Sequence, residues 1–597
     1  MNDMDTPDKI DALRRLMKAR QVAALIVPSA DPHQSEYVAS RWQARKWVSG
    51  FSGSAGTLVI TGSRAGLWTD GRYFIQAERE LKGSGIALFK SKEPGVPTVN
   101  EWILAHLKPG QTVAFDGSVY SLEAVRDLRK AFDARQIAVR YSEDLVGKLW
   151  RDRPGFPGHP AIDFPVRYAG LGRKQKLAIV RKQLEGKQAD AFLLASLDDI
   201  AWLFNIRGND ISNSPVVLAY AVIERRKAYL FADAAKFTKS LLAKLQAAGV
   251  VVRPYGAIRS HLKKMPARTA LSLNPKRVNQ WVADAIPKAV RRVEGPIDVT
   301  TDLKAVKNPV EQGHFRTAAL LDGVALVKFF AWLDRALAAG ERITEYEAGV
   351  RLASLRREAP ECRDDSFKAI CAYRGNAAMM HYSAMPETSA TLGRSGLFLV
   401  DSGGNYYEGT MDTTRTMALG PVSKTICRDY TLVLKGLIAF SRTRFLSGTT
   451  GTHLDAIARA PLWAEGLNYK CGSGHGVGSF LNVHEGPQGI TPGWNPSALK
   501  PGMVVTIEPG VYVQGSHGIR TENMVLVMPD RTTEQGEFLR FETLTVCPID
   551  TAPLNPALLS PDEREWLNAY HRRVRKLLTP HLSAPDRAWL KRKTAAI

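Results

Sequence analysis

Between residues 401 and 523 the sequence places one kind of residue in one kind of setting: a carboxylate or an imidazole beside a glycine-rich turn or at the end of an apolar run. Asp401 closes the run Gly396-Leu397-Phe398-Leu399-Val400, which reads as a buried strand. A turn follows at Gly403-Gly404-Asn405, and the chain returns through Gly409-Thr410-Met411 to Asp412. Folded as a hairpin, this segment sets both carboxylates on one side of a sheet. Two buried carboxylates so placed repel strongly unless they share a proton or bind cations. The hairpin alone therefore leaves an acid pair and a metal site both open.

The next segments decide between them. Glycines alternate around His475 in Cys471-Gly472-Ser473-Gly474-His475-Gly476-Val477-Gly478, a backbone that lets a ligand approach closely, and His484 and Glu485 follow. Thr506-Ile507-Glu508-Pro509-Gly510 puts an acid at the end of a Val504-Val505 strand, and Arg520-Thr521-Glu522-Asn523 adds another. Asp401, Asp412, Glu508, Glu522 and His475 form a hard-oxygen, one-nitrogen set suited to paired Mn, Co or Zn ions rather than to a thiolate site. Singly, each has an ordinary reading: His475 as a core histidine, Glu508 as a turn cap. The recurrence of five such residues in one segment carries the metal reading.

These strand ends need a scaffold. A chain of 597 residues is too long for one core and implies about three domains, and 45% hydrophobic with 23% charged residues excludes extensive disorder. Pro154, Pro157, Pro160 and Pro165, interleaved with Gly155, Gly158, Gly170 and Gly172, make one break. A second lies near 298–308, where Asn308, Pro309 and Glu311 supply N-cap, first-position proline and third-position carboxylate of a long helix. That helix turns Phe315, Leu320, Val324, Val327 and Phe330 toward a core. The expected domains are 1–155, 156–305 and 306–597. The first two read as diverged copies of one α/β unit, each an amphipathic helix followed by a buried strand, Leu25-Ile26-Val27 and Phe192-Leu193-Leu194. Leu67–Phe74 aligns with Leu230–Phe237, and Ala235 stands opposite Arg72, so a role for Arg72 belongs to the first copy alone. A tail helix starts with the capping box Ser560-Pro561-Asp562-Glu563 and docks through Trp566, Leu567, Tyr570 and Val574.

Thr6 reads as a helix cap with Pro7 at the first position and Ile10, Leu13, Leu16 and Met17 on one face, which is structure rather than a secretory signal. Cys362, Cys371, Cys427, Cys471 and Cys547 form no C-x-x-C pair, and no apolar run is long enough to span a bilayer. The expectation is a cytoplasmic protein with no membrane partner. The net charge of +22 reads as a solvated basic surface, since no nucleic-acid module accompanies it.

The run from Asp401 through Asp412 to Thr416, the segment Gly474–Pro487 around His475 and His484, Ile507-Glu508-Pro509-Gly510 and Arg520–Asn523 resemble the Xaa-Pro aminopeptidase (aminopeptidase P) family of pita-bread metallopeptidases. Trp68–Phe74 and Lys304–Asn308 are similar to first-domain and junction motifs of its three-domain cytosolic branch. The resemblance implies an α/β (α+β) chain with two creatinase-like N-terminal α/β domains followed by a pita-bread catalytic domain. It implies one metal on Asp401, Asp412 and Glu522, and a second on Asp412, His475, Glu508 and Glu522, with Mn the expected ion and a shared hydroxide as nucleophile. Glu508 would shuttle the proton, while His381, His475 and His484 face the substrate, and His381 and His484 stabilise charge on the scissile carbonyl. Arg520 would line the proline pocket, and Arg72 would reach the peptide. The implied substrates are peptides with proline second, and the implied assembly is a homodimer. Two places depart from the family: Cys471 stands where relatives carry a histidine, and Phe367–Arg374 differs from the usual loop before His381. A prolidase with the same site is the rival enzyme, and a non-catalytic peptide- or histone-binding relative is the rival of another class.

Overall fold

The computed structural model describes residues 4–597, which form two compact units: one takes in the chain up to Phe164 with Leu171–Thr300, the other Pro165–Gly170 with Thr301–Ile597. The first unit holds two six-stranded sheets. Strands β1 (Ala24–Pro28), β2 (Thr57–Thr61), β3 (Ala65–Thr69), β4 (Ala87–Lys90), β5 (Thr112–Ala114) and β6 (Ala138–Arg140) take the order β4-β3-β2-β1-β5-β6. Strands β7 (Ala191–Leu194), β8 (Tyr220–Glu224), β9 (Ala228–Phe231), β10 (Val250–Arg253), β11 (Ala270–Leu273) and β12 (Arg291–Glu294) take the order β10-β9-β8-β7-β11-β12. Directions match as well: β1 runs antiparallel to β2 and parallel to β5, and β7 runs antiparallel to β8 and parallel to β11. The aligned segments Leu67–Phe74 and Leu230–Phe237 fall on β3 and β9 and the turns that follow. The repeat legible in sequence is thus a duplicated topology. β1 and β7 sit at the centre and are buried on both faces, hence their unbroken apolar runs.

The N-terminal helix Thr6–Ala19 is capped one residue earlier than expected. The Asp5 carboxylate accepts the Asp8 amide at 2.9 Å from an extended backbone, so Thr6 is already helical and Pro7 is second. Ile10, Leu13 and Met17 are buried, with Leu16 at the edge of the same cluster.

In the second unit, Asn308 Oδ1 accepts the amides of Val310 and Glu311 at 3.0 and 3.1 Å, and Glu311 accepts the Asn308 amide at 3.0 Å, fixing the start of the helix Pro309–Ala338. Phe315, Val327 and Phe330 enter the core, and Leu320 and Val324 pack at its margin. Strands β13 (Ile370–Tyr373), β14 (Leu397–Ser402) and β15 (Thr413–Ala418) form one antiparallel sheet. A larger sheet combines β16 (Arg444–Leu446), β17 (Gly474–Gly476), β18 (Glu485–Ile490), β19 (Val504–Ile507), β22 (Asn523–Thr533) and β23 (Gly536–Thr543), in the order β16-β23-β22-β19-β17-β18. Between β19 and β22 the chain makes the hairpin of β20 (Gly510–Val513) and β21 (His517–Arg520). One core joins these sheets to the helices Lys424–Ser441 and Gly451–Trp463 and to the tail helix Pro561–Leu578. The tail helix has the expected capping box, buries Leu567, Tyr570 and Val574, and stacks Trp566 on Tyr570. Among the described residues no helix is long and apolar enough to cross a membrane.

Candidate metal centre

The site is assembled where strands of the two sheets end. In the β14–β15 ladder Asp401 pairs with Thr414 and Ser402 with Thr413, so Asp412 lies just past the last pair. The connection is not the simple hairpin expected. Beyond Ser402 the chain enters a separate small sheet in which Gly404–Tyr406 pairs with Gly409–Thr410, and the turn falls at Tyr407-Glu408. Gly403 serves a crossing instead of the turn: a Cβ there would sit 1.7 Å from the Met411 carbonyl oxygen. The two aspartates nevertheless come close enough for the Asp401 charge to act on Asp412.

His475 lies on β17, whose close approach to β19 requires glycine beside it. A Cβ on Gly474 would stand 2.0 Å from the Thr506 carbonyl oxygen. The His475 amide donates to Thr506 Oγ1 at 3.1 Å, and its Nδ1 faces the Gly476 carbonyl at 2.9 Å. That leaves Nε2 pointing inward, 3.4 Å from Asp412 Oδ2 and 3.5 Å from Glu508 Oε1. Glu508 is positioned by its amide, which donates to the Ser473 carbonyl at 2.8 Å. Glu522 accepts the Thr414 hydroxyl at 2.8 Å and donates its amide to the Thr414 carbonyl at 3.1 Å. Ligand atoms of Asp412, His475 and Glu522 all lie within 4.8 Å of one another.

Electrostatics say what this cluster wants. Burial, then the charges of Asp401 and Glu508, push the Asp412 pKa well above the carboxylate range. Burial pushes Glu522 the same way, followed by the charges of Asp412, Asp401 and Glu508. Asp401 Oδ2 takes a hydrogen bond from Arg520 at 2.5 Å, while its Oδ1 is buried with no hydrogen-bond partner. Buried, mutually repelling carboxylates with an orphaned oxygen and one inward imidazole nitrogen fit a divalent cation centre.

The pattern of a creatinase/prolidase N-terminal domain matches residues 9–144 and again 152–311. That of metallopeptidase family M24 matches 313–529, and that of its C-terminal region 537–597. A probable Xaa-Pro aminopeptidase P of Laccaria bicolor is 38% identical over 100% of this chain and 94% of its own length. Aminopeptidase P2 of Arabidopsis thaliana is 37% identical over 98% of this chain and 87% of its own. The chain belongs to metallopeptidase family M24. The crystal structure of an X-prolyl aminopeptidase from Caenorhabditis elegans, described as a cytosolic enzyme with a di-nuclear active site, matches with a TM-score of 0.95 and 33% identity, covering 100% of both chains. The architecture of two creatinase-like domains followed by a pita-bread peptidase domain is therefore that of this M24 chain.

The remaining expected residues distribute as follows. His484 sets its ring edge-on against His475, with centroids 4.2 Å apart at 89°. His381 is half-buried and follows Met380, whose carbonyl accepts a hydrogen bond from Arg520 at 3.4 Å. Arg520 is buried and fully engaged, donating also to Tyr512 Oη at 2.7 Å and Thr414 Oγ1 at 3.1 Å. Arg72 lies in the other unit, where it makes two 2.8 Å hydrogen bonds to Asp70 across 27% exposed side-chain surface. Cys471 is half-buried and stands outside the cluster of ligand atoms, its carbonyl accepting from Arg459 at 2.5 Å.

Sequence reasoning missed three supports in this M24 site. The Thr414 hydroxyl orients Glu522, and Arg415 holds the Glu522, Cys547 and Pro548 carbonyls from the other face. Strand alternation within Asp412-Thr413-Thr414-Arg415 carried that signal. Glu345 is wholly buried and accepts from the Tyr373 and Ala390 amides, Asn376 and the Tyr382 hydroxyl, so it anchors the segment that bears His381. Glu485, noted only as a neighbour of His484, runs into Lys304 and Lys307.

Proposed function

We propose that this M24 metallopeptidase removes the N-terminal residue from peptides whose second residue is proline. The observation that carries the reading is the buried cluster of Asp412, His475 and Glu522 flanked by Asp401 and Glu508, in a chain similar from end to end to proteins named Xaa-Pro aminopeptidase P. Those five residues would hold two divalent ions, with Mn first and Co or Zn as alternatives. When bound, the ions supply a water activated at neutral pH and a polarised scissile carbonyl.

The chain's own residues do the rest. Glu508, with 22% of its side chain exposed beside three more deeply buried carboxylates, takes the proton from the attacking water at its carboxylate. It then delivers that proton to the proline nitrogen as the bond breaks. His484 and His381 donate to the carbonyl oxygen as negative charge grows there. Arg520 holds Asp401 in place and, with Tyr512, forms the polar wall offered to the proline end. We place the enzyme in the cytoplasm, as its C. elegans relative is described, and expect a homodimer.

A peptide panel read by mass spectrometry tests the specificity. Tripeptides and longer peptides with proline second lose their first residue, and alanine-second analogues are cut slower by on the order of 100-fold. Cleavage of Xaa-Pro dipeptides alone would make the chain a prolidase. Equal rates on proline and alanine peptides would defeat the assignment.

A further inference from the structure

The segment that opens the second unit carries two lysines, Lys304 and Lys307, whose side chains are only 1% exposed. Both converge on one carboxylate, Glu485, whose side chain is 0% exposed. Lys304 Nζ lies 2.8 Å from Glu485 Oε2, and Lys307 Nζ donates to Oε1 and also to the Ala305 carbonyl at 3.2 Å. Two ammonium groups and one carboxylate make a costly filling for a buried space. Apolar side chains of similar volume usually fill such a space with no loss of stability. An arrangement retained at that cost calls for a role other than packing.

Its position in the sheet supplies one. Glu485 directly follows His484 and begins β18, where it pairs across the ladder with Gly476, the residue after His475. The approach there is tight: a Cβ on Gly476 would stand 2.2 Å from the Glu485 carbonyl oxygen. Glu485 thus adjoins His484 in the chain and faces the neighbour of His475 across the ladder, the two histidine rings meeting at 4.2 Å. A shift of the β18 start would move His484 against His475, the one proposed metal ligand it meets, and the triad contacts none of the four ligand carboxylates.

We propose that the Lys304–Glu485–Lys307 triad is a positioning element that holds His484 at the angle from which it reaches the scissile carbonyl. The proposal rests on the role given to His484 above. The triad touches neither substrate nor metal; it acts through the histidine that follows from its backbone. Because His484 works on charge that appears in the transition state, loosening the triad lowers kcat and leaves KM nearly unchanged.

The test replaces the triad by apolar side chains, Lys304→Met/Glu485→Leu/Lys307→Met, with Glu485→Gln and Lys307→Met as single variants should the triple variant not fold. Each is made in the wild-type and in the His484→Ala enzyme and assayed on an Xaa-Pro tripeptide, with metal content measured alongside. In the wild-type background we expect native metal content, a kcat lower by about 10- to 100-fold and a KM within about threefold. In the His484→Ala background the same changes cost less than about twofold, because the residue they act through is gone. Losses of equal size in both backgrounds, or a native kcat in the variants, would overturn the triad's role. A His484→Ala enzyme with native kcat would remove the role of His484 and the triad's with it, whereas loss of activity in His484→Ala beside additive triad losses would remove the triad's alone.

Discussion

Asp412 and Glu522 are 5% and 1% exposed, whereas the Glu508 side chain keeps 22% of its surface, and that difference separates their proposed tasks. A carboxylate buried among other carboxylates is useful only when a cation compensates it, so Asp412→Ala or Glu522→Ala should lower bound metal as well as turnover. Glu508 has room to turn between a water and a leaving group. Glu508→Ala should therefore lose several powers of ten in kcat with the fold intact, as near-normal far-UV circular dichroism would confirm. A Glu508→Ala enzyme with near-native turnover in added Mn would refute the proton-shuttle role. Cys471 allows a sharper test. A thiolate among the ligands would draw the site toward softer ions, yet the four carboxylates and one imidazole proposed here already satisfy two hard cations without it. Its backbone carbonyl is held by Arg459, which is itself paired with Asp455 at 2.6 Å, so the main chain at Cys471 is fixed. Cys471→Ser should keep full metal content by elemental analysis and change kcat only modestly. Loss of one ion per chain would show that the cysteine is a ligand.

At the level of elements, legibility tracked the range of the forces. The Asn308 and Ser560 capping boxes were readable because donor and acceptor lie within one turn, and the duplicated sheets because each copy repeats its own periodicity. The strand ends that carry the proposed ligands were readable because each closes a short apolar run or adjoins a turn. What sequence could not show depended on distant partners: Gly403 looked like a turn residue until Met411 crossed over it, and nothing near Arg520 in sequence announced its hydrogen bond to Asp401. Asp5 in place of Thr6 was an error of one position, decided by which side chain reaches the Asp8 amide. Gly323 combines both lessons. Mid-helix, glycine is expected to cost about 1 kcal/mol relative to alanine, so Gly323→Ala should stabilise the helix Pro309–Ala338 if only local propensity counts. A Cβ there, however, would lie 2.1 Å from the Val546 carbonyl oxygen, a backbone atom that cannot rotate away. Moving that segment or the helix costs about 1–3 kcal/mol, enough to outweigh the propensity gain. Gly323→Ala should lower the thermal midpoint, and a midpoint at or above the wild-type value would show that the packing yields.

For the molecule as a whole, the proposed ligands matter because of where they come from. Asp401 belongs to the smaller sheet of the peptidase unit, while His475 and Glu508 belong to β17 and the end of β19 in the larger one. Asp412 and Glu522 sit at the starts of β15 and β22, one on each sheet. Cations bound there would tie the two sheets together, and without them the same carboxylates must either repel one another or take up protons, each of which costs stability at neutral pH. Dialysis against a chelator should then reduce thermal stability, not only activity. Ligand present at 100 times its dissociation constant contributes about 2.7 kcal/mol, which for a unit of this size corresponds to a drop of roughly 4 °C on removal. Added Mn should restore the midpoint and the activity together. Asp412→Ala separates this effect from general destabilisation, because the sign reverses for it. Free of metal, it has lost a buried carboxylate whose raised pKa costs stability at neutral pH, so it should melt at or above the metal-free wild type. With Mn it should gain less than the wild type gains. If the metal-free variant instead melts well below the metal-free wild type, Asp412 supports the fold through contacts of its own and the repulsion argument fails.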